Sequence, residues 1–285
     1  MSIAPHPPRT ELRAAVTTLS TCVVALGIAL ASGYGLLAAH PYRGLAEATR
    51  IAAQAQDVCS VLVAVVLVLL ARAVAAKAHL VRLGLLAYVA YSYAMYLIGL
   101  PMNRIFLVYV VVVAVSGATL LDGLVRLRPS GWPRTTHRPL ERGTGWMLIV
   151  VAALFAALWL TALIPYALGG QAPSPAGPGG AAYPVFVLDL VVVLPCIAAV
   201  GVLLIRGRAI AGPLAVVALV KIVTLFTALW AGVLVGLASD AEVHLAADAV
   251  PSLLMLAASA VLVGRWLGAL WPDPTRFVRP TFWHG

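Results

Sequence analysis

A chain of 285 residues that is 62% hydrophobic and 10% charged, with a mean hydropathy of +1.01, lies far outside the composition of a water-soluble domain. The net charge of +9 raises nucleic acid as a partner, but the basic residues fall in alternate loops between long apolar runs, which argues against a nucleic-acid-binding face. Cys22, Cys59 and Cys196 lie in three different apolar runs without metal-ligand spacing, so they read as packing residues and not as a disulfide framework or zinc site.

A membrane-crossing helix needs about 20 mostly apolar residues. Eight runs satisfy this: 14–39, 53–71, 83–100, 105–125, 146–168, 184–205, 210–237 and 246–270. The predicted fold class is all-α, a polytopic transmembrane bundle forming one integral membrane domain over residues 1–285. The first run follows Arg9 and Arg13 and exceeds the usual signal-peptide core of about 7 to 15 residues, so it is expected to be retained. Arg9, Arg13, Arg72, Lys77, Arg82, Arg126, Arg128, Arg134, Arg138, Arg142, Arg206, Arg208, Arg265, Arg276 and Arg279 fall on one side of the expected topology, against Arg43, Arg50 and Arg104 on the other. That asymmetry predicts a plasma-membrane protein with both termini cytoplasmic and with anionic inner-leaflet lipid against its basic loops.

Along the chain, the second run carries Asp57 near its outer end. The third contains "YVAYSYAMY", whose tyrosines fit an interfacial aromatic belt, with Tyr96 the candidate for a site hydroxyl. Asn103 and Arg104 follow at the outer mouth. The segment 126–145 is a basic cytoplasmic linker, and 169–184 an uncharged outer linker rich in Gly and Pro. The sixth run holds Asp189 in "VFVLDLVVVLP", with Pro195 expected to kink its helix. The seventh holds Lys221, the one cation inside an expected span, and "GVLVG" (232–236), a small-residue contact pattern. "HLAAD" places His244 and Asp248 one helical turn apart; with His40 these are the weak candidates for a metal, although two ligands fall short of a zinc site and no cofactor is expected.

The second and sixth helices each carry Asp near the outer face (Asp57, Asp189) and close on Arg at the inner face (Arg72, Arg206), which suggests a 4+4 pseudo-repeat. Counting about 1.5 Å of rise per residue from the arginine closing each helix puts Asp57, Asp189, Lys221, Asp248 and Tyr96 roughly 20 to 25 Å above it, in the outer third of the bilayer. A lone charge in hydrocarbon needs compensation. The expected partner of Lys221 is Asp189, with Asp57 as the alternate, and the remaining carboxylates would hold a proton, a cation or water.

"QDV" (56–58), "YSYAMY" (91–96), "NRIFLVYV" (103–110) and "YPVFVLDLVVVLP" (183–195) resemble a group of uncharacterised bacterial and archaeal multi-pass membrane proteins. The resemblance covers much of the second to seventh helices and implies this architecture, with no activity, cofactor or catalytic residue to carry over. Intramembrane charges more often mark ion or solute pathways than catalysis. The leading expectation is therefore a small-solute or ion permease with an outward-facing polar cavity drawing on Asp57, Asp189, Lys221, Asp248, Tyr96, Asn103 and Arg104. The rival readings are a membrane-embedded enzyme acting on lipid, for which no HExxH or GxSxG motif is present, and a sensor or assembly partner.

Overall fold

The computed structural model describes residues 9–38, 41–73, 75–127, 137–173, 181–238 and 249–270. Eight helices among them are long and apolar enough to cross a membrane: α1 (Arg9–Leu37), α2 (Glu47–Leu70), α3 (Ala76–Gly99), α4 (Phe106–Val125), α5 (Arg138–Ala167), α6 (Pro184–Ile205), α7 (Ala211–Ala238) and α8 (Ala249–Ala269). No strand occurs among the described residues. Hydrocarbon supplies no partner for a free amide or carbonyl, so apolar runs of this length satisfy their backbone internally as helix.

Four helices start earlier than hydropathy places them. α1 begins at Arg9, α2 at Glu47, α3 at Ala76 and α5 at Arg138, because a helix continues past the apolar window into residues that hydropathy scores as loop. In α5 the extension takes up Arg138–Gly145 of the expected basic linker, with Pro139 in the first turn, where its missing amide is no loss.

The buried centre is α2, α3 and α7, whose apolar windows are 50, 61 and 56% buried, against 17 to 28% for the other five helices. α7 packs on α2, α3, α6 and α8; α1 and α4 close the far side of α2 and α3, and α5 lies on α6. The α3–α7 approach is close because Gly84 has no side chain: a Cβ there would meet Val220 Cγ1 at 2.7 Å and the Val217 carbonyl at 2.9 Å. Gly232 faces Ala55 of α2, so the small-residue pattern of α7 serves packing within the chain. In each half of the chain the first helix packs on the second, the second on the third and the third on the fourth, and α3 and α7, third in their halves, pack on each other. Exposed side chains such as Leu62, Leu69, Leu154, Val191 and Leu254 turn outward, as lipid-facing residues do.

Two local features bear on the charges. Asp189–Val193 forms a π-turn within α6, with the Leu194 amide donating to the Asp189 carbonyl. The helix is thus re-registered just ahead of Pro195, which has no amide to donate. Arg82 is a buried residue of α3 and not a loop cation. Its guanidinium donates to the Leu70 and Ala71 carbonyls, both at 3.3 Å, so it caps the end of α2, where the helix dipole favours a cation.

Candidate functional site: two buried carboxylates on either side of α3

Asp57 is fully buried, and it is held by phenols. Tyr42, in the turn between α1 and α2, donates its hydroxyl to Asp57 Oδ2. Tyr96 of α3 lies 3.3 Å from Oδ1 and also donates to the Ala53 carbonyl at 2.8 Å. The ring of Tyr96 stands edge-on to those of Tyr42, Tyr93 and Tyr109, with centroids 5.4 to 6.4 Å apart. Ser32 of α1 completes the enclosure, its Oγ 3.1 Å from the Tyr93 hydroxyl. Gly35, one turn along α1, makes the room: a Cβ there would lie 2.7 Å from the Asp57 Cγ. Burial and the adjacent Asp57 charge both push the Tyr42 phenol above its ordinary value, so it remains a proton donor to the carboxylate.

Above Asp57 is an open depression of about 180 Å³, lined by residues of α1 and of the 41–45 and 100–104 segments, among them Tyr34, Tyr42, Arg43, Asn103 and Arg104. Asn103 accepts from the Ile105 amide at 3.1 Å and donates to the Tyr109 hydroxyl at 3.4 Å, while Arg43 and Arg104 are exposed. Tyr42 therefore belongs to both places: its ring lines the depression and its hydroxyl holds Asp57.

Asp189 is held differently. Its Oδ1 accepts from the Tyr91 hydroxyl of α3 at 2.9 Å and its Oδ2 from Trp159 Nε1 of α5 at 2.9 Å. Lys221 Nζ of α7 sits 4.1 Å from the centroid of the Tyr91 ring. The expected Lys221–Asp189 ion pair is not formed. The described ion pairs are Arg50–Glu47, Arg126–Asp122 and Arg138–Glu141. Tyr91 stands between the two charges instead, offering its hydroxyl to one and its ring face to the other, an arrangement that stabilises a poorly solvated ammonium. Burial and the Asp189 charge also raise the Tyr183 phenol, just before α6.

Tyr91 and Tyr96 are five residues apart on α3, which separates them by about 140° around the axis and about 7.5 Å along it. The two carboxylates thus lie on different faces of α3, and the expectation of one cavity containing Asp57, Asp189 and Lys221 gives way to two clusters. The aromatic-belt reading is corrected as well. Tyr88, Tyr91, Tyr93 and Tyr96 are all buried in the bundle, because α3 is one of the three central helices and presents its hydroxyls to neighbours on several sides. His40, His244 and Asp248 lie outside the described residues. Among the described residues, no three His, Cys, Asp or Glu side chains come together as metal ligands.

Sequence reasoning missed Tyr42, Gly35 and Ser32 around Asp57, and Trp159 and Tyr91 as the direct partners of Asp189. A loop tyrosine and a helical glycine carry no pattern that ties them to a carboxylate on another helix. Comparison with protein-family models, with curated proteins and with solved structures returned no match.

Proposed function

We propose that the protein is a permease for a small solute or ion, entered through the depression on the arginine-poor face, with Asp57 as its switchable charge. The loop charges support placing that face outside the plasma membrane and both termini in the cytoplasm. The observation that carries the reading is Tyr42, one side chain shared between the depression and a fully buried carboxylate. The direct partners of Asp57 are neutral hydroxyls and not a cation. A proton or cation arriving at Asp57 therefore strands no counter-charge, whereas neutralising Asp189 would leave the Lys221 charge uncompensated. Displacing Tyr42 would expose the carboxylate to whatever occupies the depression, so solute entry and Asp57 charge can be coupled through one ring.

Protein reconstituted in liposomes with an enclosed pH indicator, challenged with a panel of radiolabelled small solutes, tests this. At least one solute should show saturable uptake or move the internal pH. Asp57→Asn should abolish that response, and Asp122→Asn, at the opposite end of α4 in a surface pair with Arg126, should retain it. Equal activity in parent and Asp57→Asn, or lipid turnover in place of uptake, would overturn the proposal.

A further inference from the structure

On α2 the buried residues change character along the helix. Gln56, Asp57, Cys59 and Ser60 are followed by Val63, Ala64 and Leu67. α3 shows the same change in the opposite chain direction: Tyr96, Tyr93, Ser92 and Tyr88 give way to Leu86, Leu85 and Leu83 before Arg82. The two helices are neighbours, so their polar halves lie together at the arginine-poor end and their apolar halves at the other. Within the polar half, Gln56 Nε2 donates to Ser60 Oγ at 3.2 Å, and Cys59 Sγ lies 3.7 Å from the Thr224 carbonyl of α7. Tyr93, bonded to Ser32 beside Asp57, also neighbours Ser60.

The deepest members satisfy one another poorly. The Tyr88 hydroxyl lies within reach of Gln56, Cys59 and Ser92, yet neither it nor Ser92 Oγ, both fully buried, makes a hydrogen bond of regular geometry. A buried hydroxyl left unpaired is costly, and most such groups in folded proteins bond to protein or to ordered water. Here two orphans adjoin a row of further donors and acceptors, which supplies the several polar partners that an internal water requires.

We infer that the seam between α2, α3 and α7 is a hydrated half-pathway, running inward from Asp57 to Tyr88 and closed beyond it by the apolar layer of Val63, Leu67, Leu85 and Leu86. Water is its resident ligand. The seam extends the Asp57 site toward the bilayer centre, and the apolar layer separates it from Arg82. In this conformation water and protons reach Tyr88 from the depression side and stop there. This deepens the permease reading, but it is read out without any solute, so hydration and uptake can fail independently.

Brief X-ray exposure of the protein in lipid nanodiscs generates hydroxyl radicals from water, and the oxidised side chains are read by mass spectrometry against an unexposed sample. The three native cysteines provide the comparison. Cys22 and Cys196 are exposed on the lipid-facing surface of α1 and α6, whereas Cys59 is buried. Oxidation should invert that order: Cys59 and Tyr88 are modified faster than Cys22 and Cys196, and a Ser92→Val variant that fills the seam lowers both rates. Labelling of Cys59 no faster than of the two lipid-facing cysteines would overturn the inference whether or not Ser92→Val folds. So would unchanged Cys59 and Tyr88 labelling in a folded Ser92→Val protein.

Discussion

Asp57 and Asp189 invite comparison because they look alike in the chain: each is a lone carboxylate in an apolar helix, and each is bonded by a tyrosine of α3. Their settings differ in what stands behind that tyrosine. At Asp189 the tyrosine ring carries the Lys221 ammonium and an indole takes the second oxygen, so one negative and one positive charge are held on a rigid aromatic spacer between α5, α6, α3 and α7. At Asp57 the second oxygen goes to a loop tyrosine that lines an open depression, and no cation is among its direct partners. The same residue type therefore faces an ammonium across an aromatic ring on one side of α3, and on the other has only neutral hydroxyls as direct partners.

The comparison breaks most visibly in stability. Removing one member of a buried charge network typically costs about 3 to 5 kcal/mol, because the remaining charge is left uncompensated. Lys221→Met should destabilise the purified protein by that order, seen as a lower melting temperature, and adding Asp189→Asn should recover part of the loss. Asp57→Asn, which exchanges one hydrogen-bonding group for another among neutral partners, should cost only about 1 kcal/mol. Additive losses in the Lys221/Asp189 double variant would show that the two charges do not communicate through Tyr91.

A smaller effect sharpens the Asp57 side. Gly35→Ala places a methyl group where the carboxyl group of Asp57 now lies, and overpacking of that kind costs about 1 to 3 kcal/mol. Its diagnostic outcome is functional: solute uptake should fall with that of Asp57→Asn, while the Lys221/Asp189 cycle measured in the Gly35→Ala background should be unchanged.

The smallest expected effect concerns alkaline pH. The Tyr42 phenol is raised in the folded protein by burial and by Asp57, whereas a free phenol titrates near about 10. Above that pH the unfolded chain releases the Tyr42 proton and the folded protein keeps it. The folded state then binds more protons, so its stability is fully present below about pH 10 and falls as pH rises further. Tyr42→Phe should remove its share of that slope in melting curves taken across pH 9 to 11, roughly the range bracketing a free phenol. An identical slope in the variant would mean that Tyr42 is not coupled to Asp57.

Much of this architecture follows from composition and spacing. Eight apolar runs become eight helices because a backbone in hydrocarbon has no other way to satisfy its amides and carbonyls. Asp57, Asp189 and Lys221 stand out in the sequence as charges within such runs, and the structure places all three inside the bundle. What a linear sequence does not contain is the rotation of each helix about its axis and the identity of the helix it meets. The five-residue offset between Tyr91 and Tyr96 places them on different faces of α3, but only packing sets Asp189 and Lys221 against the first and Asp57 against the second. Depth along a helix is additive in residue number, so sequence could align the charges by level; partner choice is not additive, and the Tyr91 ring that stands between Lys221 and Asp189 is not legible in it. The turn that carries Tyr42 onto Asp57, the glycine that leaves space for the carboxylate and the orphaned hydroxyls beneath it arise from contacts between distant segments. They were decided by tertiary structure alone.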